Sequence, residues 1–188
     1  SPSRRQRQMC IRDRFITGAA KRIGKEIALC FSEMGWNIII HYNSSKNDAQ
    51  VLADEINGNN PDSAITVQGN LDVKEDVEKV INEVRDAFPT IDLLINNAST
   101  FYPTPIEDIS EEHWDKLVGS NLKGPLFLIK GLKDKLKESK GSIINITDTN
   151  LSKGVANYSI YSAAKAGLES ITKGLARELA PDIKVNAI

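Results

Sequence analysis

A tyrosine and a lysine lie four positions apart in the segment YSAAK, as Tyr161 and Lys165. On a helix this spacing places both side chains on one face. An ammonium group close to a phenol lowers the pKa of the phenol from about 10 towards neutrality. Such a tyrosine can give a proton to a substrate atom that receives a hydride. The pair therefore predicts a proton donor, although the same spacing is also common on ordinary helices.

A glycine-containing turn, TGAAKRIG, runs from Thr17 to Gly24 and leads into a segment with helical periodicity. The first turn of a helix offers unpaired N–H groups and a partial positive charge to a pyrophosphate. Gly18 would permit the tight turn, and Gly24 would permit close packing. Arg22 lies between them as a cation that can bind phosphate. The alternative is a plain strand–turn–helix junction in which Lys21 and Arg22 form the solvated edge of the helix.

The end of the apolar segment 36–42 and the residues that follow it indicate whether the cofactor is NADP(H) or NAD(H). A free ribose 2′-hydroxyl usually meets an Asp or Glu about 20 residues beyond the glycine turn. That region reads HYNSSK over residues 41–46, and the first carboxylate is Asp48. Hydroxyl, amide and cationic groups would instead accept a 2′-phosphate. The chain offers such groups on Arg22, Asn43, Ser44, Ser45 and Lys46. The pattern favours NADP(H) over NAD(H).

Apolar stretches of strand length alternate with helical patterns from residue 15 onwards. Predicted strands cover 36–42, 64–68, 91–95, 142–146 and the segment from 183, and predicted helices cover 22–34, 46–57, 110–118, 121–138 and 158–180, with another marked by Val73, Val77, Val80 and Val84. This alternation predicts an α/β Rossmann fold, a doubly wound parallel sheet in a single domain. Ligands of such sheets bind beyond the carboxyl ends of the strands. The segments that should line the site are therefore 17–24, 41–46, 69–71, 96–102 and 147–157.

Charge and composition narrow the class of partner. The 188 residues include 24 basic and 25 acidic side chains, so neither nucleic acid nor an anionic membrane is expected as a partner. No apolar run approaches the ~20 residues that span a bilayer. Two cysteines, Cys10 and Cys30, make no disulfide framework and favour a reducing cytoplasm, with Cys30 in the core. The expected ligands are small molecules, and no metal site is predicted.

The first fourteen residues do not fit the domain that follows. They contain five arginines and show neither helical nor strand periodicity. A buried parallel strand should precede the glycine turn and read as a continuous apolar run, yet Arg12, Asp13 and Arg14 stand where apolar residues belong. Residues 1–14 are therefore predicted to be foreign to a domain that covers 15–188. A disordered basic arm is the alternative.

Four motifs in order resemble the short-chain dehydrogenase/reductase family over about residues 15–188. They are the turn TGAAKRIG, the triplet NNA at 96–98, Asn121 and YSAAK. The resemblance implies that Tyr161 is the catalytic acid, that Lys165 holds the nicotinamide ribose and that Asn121 anchors a proton-relay water. Together with the turn and strand-end patterns, it selects as cofactor-binding residues Gly18, Arg22, Ile23, Gly24, His41, Tyr42, Asn43, Ser44, Ser45, Asn70, Leu71, Asn97, Ala98, Ser99, Tyr161 and Lys165.

One position departs from the usual member of that family. A serine is expected thirteen residues before the catalytic tyrosine, and the residue there is Asp148. A carboxylate is a poor partner for a developing alkoxide, because two negative charges would meet, but it suits ring nitrogens or N–H groups. Asp148, Arg22 and the segment NNASTFYPTP resemble the pteridine reductase branch. That resemblance implies that Phe101 stacks a pterin on the nicotinamide, and that the substrate meets Arg22, Ser99, Phe101, Asp148 and Tyr161.

The expected activity is hydride transfer from NADPH to the C=N bond of a dihydropterin, with Tyr161 as proton donor. A carbonyl substrate such as a 3-oxoacyl thioester is the alternative within the family. Further alternatives are a protein that holds NADP(H) without chemistry and an inactive fragment, because the chain stops at Ile188 before the lid and last strand of the family. The resemblance also implies a homotetramer built on helices 121–138 and 158–180, where the small residues are Ala163, Ala164, Ala166 and Gly167.

Overall fold

Within residues 12–188, which the computed structural model describes, six parallel strands form one sheet in the order β3-β2-β1-β4-β5-β6. The strands are β1 (Asp13–Ile16), β2 (Asn37–Tyr42), β3 (Ala64–Gln68), β4 (Leu93–Asn96), β5 (Ser142–Asn145) and β6 (Lys184–Ala187). Ile16 in β1 lies opposite Ile40 on one side and Ile95 on the other. The strand order reverses between β1 and β4, as it does in a doubly wound sheet. The predicted Rossmann fold is confirmed.

Helices connect the successive strands. They are α1 (Arg22–Glu33), α2 (Lys46–Asn59), α3 (Lys74–Ala87), α4 (Glu111–Val118), α5 (Gly124–Glu138) and α6 (Ser159–Glu178), and a short 3₁₀ helix spans Ile106–Asp108. A π-helical turn, Gly119–Lys123, joins α4 to α5. The helices predicted separately at 110–118 and 121–138 therefore form one continuous helical segment. None of the helices in the described part of the chain is both long enough and apolar enough to cross a bilayer.

Both faces of the sheet are apolar, and each face has its own core. Phe15 and Ile39 belong to a cluster that α3, α5 and the end of α6 complete. Their neighbours Ile16 and Ile40 belong to a second cluster beneath α1 and α2. Side chains alternate across a strand, so a continuous apolar strand supplies both clusters. Because helices cover the two faces, the strand ends remain as the part of the sheet that is open to ligands.

Strand β1 begins at Asp13, two residues before the boundary predicted at residue 15. Asp13 and Arg14 are both buried. The Asp13 carboxylate accepts a hydrogen bond of 2.8 Å from Nδ2 of Asn37, and the Arg14 guanidinium lies over the ring of Trp36. Burial raises the pKa of Asp13 to about 6 and lowers the pKa of Arg14 to about 9. Tertiary partners thus admit charged residues to a strand, and the predicted foreign arm, as far as residue 11, lies outside the described residues.

The buried stripe of α1 determines where Cys30 lies. Gly24, Ala28 and Ser32 follow one another at four-residue intervals and are the buried positions of this helix. Cys30 lies between two of them in sequence and therefore points away from the sheet. It is exposed, so the prediction that it lies in the core is wrong.

The small residues of α6 divide between two environments. Ala164 is buried, and the absence of a side chain on Gly167 makes room for Leu122 of the same chain. Ala163 and Ala166 are exposed. All four small residues were predicted to contact a partner chain. Two of them, Ala164 and Gly167, instead pack within their own chain.

Candidate active site

A cleft of about 490 Å³ opens at the carboxyl ends of the strands, and all five segments selected from the sequence line it. The predicted site residues that line it are Gly18, Arg22, Ile23, Gly24, His41, Asn43, Asn70, Leu71, Asn97, Ala98, Ser99, Phe101, Tyr161 and Lys165. The sequence interpretation missed further lining residues, which are Lys21, Thr100, Ser120, Ile146 and Thr147. Each of the five adjoins a predicted site residue or the end of a strand. This proximity in sequence could have identified them as residues of the cleft.

Backbone conformation explains why the turn keeps two glycines around an arginine. Gly18 has a φ of +62°, and a Cβ there would lie 2.9 Å from Cα of Ala98. A Cβ on Gly24 would collide with the carbonyl oxygen of Gly18, so α1 packs directly on the turn. Arg22 has a φ of +53°. Glycine adopts this left-handed conformation freely, whereas it costs other residues about 1–2 kcal/mol. The chain therefore places a guanidinium at the cleft against a conformational penalty.

Hydrogen bonds tie the turn to the end of β4. Oγ1 of Thr17 accepts the backbone N–H groups of Asn97 and Ala98 at 3.0 and 2.9 Å. In return, Nδ2 of Asn97 donates to the carbonyl oxygens of Thr17 and Gly18 at 3.0 and 3.2 Å. The NNA triplet is thereby fixed against the glycine turn. Within the triplet, the Asn97 side chain makes these bonds to the turn, whereas Nδ2 of Asn96 donates to Oδ1 of Asn145 at 2.8 Å. Asn97 and Ala98 also line the cleft.

On the opposite side of the turn, both ring nitrogens of His41 are occupied by the backbone. The N–H of Gly18 donates to Nδ1 at 3.1 Å, and Nε2 donates to the carbonyl oxygen of Gly69 at 2.9 Å. Only the neutral tautomer with its proton on Nε2 can make both bonds. The side chain is 1% exposed, and its burial lowers the pKa to about 4. His41 lines the cleft as predicted, but its polar atoms bind the protein.

The phenol of Tyr161 donates a hydrogen bond of 2.9 Å to Oδ2 of Asp148. Oδ1 of Asp148 accepts the N–H of Asn150 at 2.7 Å, and this bond is the main reason why the pKa of Asp148 is lowered. Burial, followed by the hydrogen bond to Asp148 and the charge of that carboxylate, raises the pKa of Tyr161 to about 12. The predicted lowering of the tyrosine pKa is therefore wrong for this arrangement of the site.

Lys165 lies on the same face of α6 as Tyr161, as the spacing predicted. Its Nζ donates to the carbonyl oxygen of Ile146 at 2.8 Å and is 6.0 Å from the centroid of the Tyr161 ring. The side chain is 2% exposed, and burial lowers the pKa of Lys165 to about 8. Desolvation thus favours the neutral form of the lysine, the residue whose positive charge was expected to lower the pKa of the phenol.

Asn121 lies in the π-helical turn and is fully buried. Its Oδ1 accepts a hydrogen bond of 2.8 Å from the hydroxyl of Ser99. Its Nδ2 donates to the carbonyl oxygens of Thr100 and Leu117 at 2.8 and 2.9 Å. The side chain does not line the cleft, and it holds in place the loop that does. Its role as the anchor of a relay water remains a prediction.

Phe101, Tyr158 and Tyr161 form an aromatic wall next to Asp148. The rings of Phe101 and Tyr158 are stacked, with centroids 4.5 Å apart and planes inclined by 13°. The edge contact between Phe101 and Tyr161 has a centroid distance of 4.8 Å. The wall and Asp148 line a second cavity of about 80 Å³ that shares Phe101 and Tyr161 with the cleft. Tyr158 was missed, although it lies only three residues before Tyr161, at the N-cap of α6.

Three of the residues predicted to bind the cofactor lie outside the cleft. Tyr42, Ser44 and Ser45 do not line the cleft. The half-buried Tyr42 packs against the core beneath α1 and α2. Lys21 does line the cleft, and its Nζ forms a salt bridge of 3.0 Å with Asp48. Asp48, the first carboxylate after β2, thus reaches a cation at the cleft, at the side where a ribose 2′-phosphate was expected.

The assembled groups are suited to proton transfer beside a bound dinucleotide. The phenol of Tyr161 lines both cavities, the carboxylate of Asp148 lines the smaller one, and the ammonium group of Lys165 lines the cleft. The start of α1 supplies unpaired N–H groups at the other end of the cleft, where Arg22, Ile23 and Gly24 lie. A ligand that spans these ends would put its reacting atom next to Tyr161.

Comparison with known proteins agrees with this chemistry. Residues 14–188 match the family model described as short chain dehydrogenase. The chain is 35% identical over 175 residues to a 3-oxoacyl-[acyl-carrier-protein] reductase FabG of Staphylococcus aureus, and the match covers 92% of this chain and 71% of that protein. It is 35% identical over 175 residues to an NAD-dependent glycerol dehydrogenase of Listeria innocua, with 92% and 67% covered. It is 33% identical over 214 residues to pteridine reductase 1 of Leishmania tarentolae, with 92% and 73% covered.

The names of these relatives, at similar identity, refer to different substrates, so the comparisons do not favour the pteridine reductase branch over others. They agree on the family, and the family model spans the glycine turn, the NNA triplet, Asn121 and the tyrosine–lysine pair. The chain belongs to the short-chain dehydrogenase family.

Proposed function

We propose that this protein is an NADPH-dependent reductase that acts on the C=N bond of a dihydropterin, with Tyr161 as proton donor. The observation that carries the proposal is the carboxylate of Asp148, hydrogen-bonded to the phenol of Tyr161 beside the aromatic wall. A pterin is flat, so its faces can stack on Phe101. It also carries ring N–H groups, which an ionised carboxylate accepts well.

The glycine turn supports a dinucleotide in the cleft. A side chain at Gly18 would collide with Ala98 and one at Gly24 with the turn itself, so the two glycines allow the tight turn, and α1 begins there with unpaired N–H groups. Arg22 adds a cation whose backbone strain favours a functional reason for its presence. Bound NADPH would supply the hydride. Lys165, at the inner end of the cleft, would hold the nicotinamide ribose.

Protonation of the substrate requires that Tyr161 give up a proton although its pKa is raised. In this structure the phenol donates to Asp148, and that bond and charge oppose ionisation. A substrate N–H that took the place of the phenol as donor to Asp148 would remove this hydrogen bond. It would also neutralise part of the carboxylate charge next to the forming tyrosinate. Tyr161 would then be released to protonate the acceptor nitrogen. Substrate binding is thereby coupled to activation of the acid.

The competing function is reduction of a 3-oxoacyl thioester, which the name of the Staphylococcus aureus relative suggests. Hydride addition to a ketone develops an alkoxide, and an ionised Asp148 close to Tyr161 would repel it. The repulsion disfavours a carbonyl substrate at this site. A pterin avoids it, because its acceptor is a nitrogen and its N–H groups face the carboxylate.

The test is NADPH oxidation by the purified protein with dihydrobiopterin and with a 3-oxoacyl thioester, each repeated with NADH. We expect turnover with the pterin and NADPH. The control is Asp148→Ser, which restores the serine of the usual family member and should lower pterin reduction while raising activity on the thioester. Turnover of only the thioester by the unaltered protein would overturn the pterin proposal and leave the reductase class intact.

We further propose that the protein assembles as a homo-oligomer through α5 and α6. The support is the exposed position of Ala163 and Ala166 on α6 and of Phe127, which is 42% exposed, on α5. Light scattering coupled to size-exclusion chromatography tests this, with Ala166→Glu as the disrupting variant. A monomeric mass for the unaltered protein at working concentration would contradict the proposal.

A further inference from the structure

His41 is the side chain that links the glycine turn to the neighbouring strand ends. Its ring accepts the N–H of Gly18, beyond β1, and donates to the carbonyl oxygen of Gly69, beyond β3. The backbone carbonyl of His41 accepts the N–H of Ala19 at 2.9 Å. One residue at the end of β2 thus binds two successive amides of the turn, those of Gly18 and Ala19, and the segment that follows the adjacent strand.

Because of these bonds, two amides of the turn cannot serve a pyrophosphate. Gly18 and Ala19 both donate to His41, so the N–H groups left for a pyrophosphate are those of the rest of the turn and of the start of α1. The direction of these later amides depends on how the turn enters the helix. Gly18 has a φ of +62° and, as a glycine, restricts its own conformation little. The backbone that leads from Gly18 into α1 is therefore ordered by contacts with other residues, among them the hydrogen bond from Gly18 to His41.

The His41 ring is itself held firmly. It is 1% exposed and makes an edge contact with Phe15, with ring centroids 6.4 Å apart and planes inclined by 84°. On the far side of Gly18, a Cβ would lie 2.9 Å from Cα of Ala98. The turn is confined between Ala98 and the imidazole, and it can move only if one of them moves.

We propose that His41 is a positioning residue that pre-organises the glycine turn for the pyrophosphate of a dinucleotide, acting through Gly18 rather than through the ligand. The inference rests on the proposed binding of a dinucleotide in this cleft. Ordering the donors before the ligand arrives reduces the entropy lost on binding. His41 is thus expected to affect cofactor affinity more than the chemical step.

Two substitutions separate the two ring bonds. Asparagine places a carbonyl oxygen near the position of Nδ1, so His41→Asn can still accept the N–H of Gly18. Glutamine places an N–H near the position of Nε2, so His41→Gln can still donate to Gly69 but leaves Gly18 without its acceptor. The pair is matched, because each variant keeps one hydrogen bond and loses the other. Both should lower the melting temperature.

The readouts are NADPH affinity by calorimetry, KM and kcat, and hydrogen exchange of residues 17–24. We expect His41→Gln to weaken NADPH binding about fivefold to tenfold, to raise the KM for NADPH with kcat little changed, and to speed exchange in the turn. His41→Asn should stay within about twofold of the unaltered protein in affinity and exchange. Equal affinities and exchange rates in the two variants would overturn the inference.

The exchange measurement keeps this inference separate from the proposed function. If the unaltered protein binds neither NADPH nor NADH, the cofactor proposal fails, and with it the role of His41 in binding. Faster exchange of 17–24 in His41→Gln alone would still show that the imidazole orders the turn. Binding by the unaltered protein with identical affinity in both variants would instead leave the cofactor proposal standing and remove His41 from it.

Discussion

The phenol of Tyr161 donates to the carboxylate of Asp148 at 2.9 Å, while the ammonium of Lys165 lies 6.0 Å from the centroid of the same ring. The nearer group has the opposite effect from the one expected of the lysine. A carboxylate that accepts from a phenol stabilises the protonated phenol, and the burial of Tyr161 acts in the same direction. Tyr161 is therefore fully protonated at neutral pH, as a proton donor must be before each turnover.

Removal of the hydroxyl should abolish turnover without disturbing the cofactor. Positioned acids typically contribute about 10²–10⁴ in rate, so Tyr161→Phe should lower kcat by about that factor. NADPH affinity, measured by calorimetry, should change by less than about twofold, because the phenol lies at the inner end of the cleft. Retained activity would exclude Tyr161 as the acid.

The pKa of Tyr161 should fall when the charge next to it is removed. In the folded protein this pKa is about 12, and both the hydrogen bond to Asp148 and the charge of that carboxylate contribute to the rise. Asp148→Asn should move it towards 10, so tyrosinate should appear at lower pH than in the unaltered protein. NMR titration of ring-labelled tyrosine measures this, with Tyr161→Phe identifying the signal. An unchanged titration would mean that burial alone sets the pKa.

That shift also has a consequence for stability. A folded pKa raised above the unfolded value means that the native state binds the proton more tightly, so Tyr161 opposes folding only as pH rises above about 10. The penalty grows until the pH reaches about 12, where the native phenol also ionises. Asp148→Asn should therefore lose less stability between pH 9 and pH 11 than the unaltered protein. Chemical denaturation at several pH values checks the same interaction independently.

The Phe101–Tyr158 stack predicts a variant that affects only the substrate. Stacking is worth about 0.5–1.5 kcal/mol beyond area burial, so Phe101→Leu should raise the KM for a pterin about twofold to tenfold. Tyr158→Phe retains the ring and should have a smaller effect. NADPH affinity should be unchanged in both variants. An equal rise in KM for pterin and cofactor in Phe101→Leu would mean that the leucine has disturbed the whole cleft.

The salt bridge between Lys21 and Asp48 should influence the choice between NADPH and NADH. Asp48 holds a cation that lines the cleft, and its negative charge opposes a 2′-phosphate. Asp48→Asn should raise the preference for NADPH about twofold to fivefold, the range that an exposed ion pair allows. The gain should shrink at high salt, because exposed charges are screened.

A matched control for this change exists on the next turn of α1. Lys25 pairs with Glu55 at 3.8 Å, and neither residue of that pair was predicted as a cofactor ligand. Glu55→Gln removes one negative charge from the same surface and should leave the ratio of NADPH to NADH affinity unchanged. A similar change in both variants would indicate a general effect of net charge.

Burial of Arg14 predicts a stabilising substitution. Arg14 lies opposite Ile38 and Leu93 of the two neighbouring strands, and its Nε has no hydrogen-bond partner among the described residues. Burial lowers its pKa to about 9, although the charges of Asp92 and Asp13 act in the opposite direction. Replacing a poorly compensated buried charge by an apolar residue is often stabilising. Arg14→Leu should raise the free energy of unfolding by about 1–2 kcal/mol and the melting temperature by about 2–8 °C. The exposed Arg12 provides the control, since Arg12→Leu should change stability little.

Most of the secondary structure was predictable because its signals are local. Strand β3 has its predicted bounds, 64–68, and α2 begins at the predicted residue 46. Apolar periodicity and glycine turns act over a few residues, so a single sequence displays them. The start of β1 at Asp13 was not predictable, for the opposite reason. Asp13 and Arg14 are tolerated there by Asn37 and Trp36, whose proximity follows from strand pairing and cannot be read from the neighbouring sequence.

For the candidate site too, some features were predictable from the sequence and others were decided only by the tertiary structure. Residue types and their order indicated the family, the five strand-end segments and the groups on Tyr161, Lys165 and Asp148, because each signal is a spacing along the chain. Only the tertiary structure decided that burial and Asp148, rather than Lys165, set the pKa of Tyr161, and that His41 binds the turn. Desolvation and hydrogen bonding depend on every group that folding brings within a few ångströms, and those groups come from distant parts of the chain.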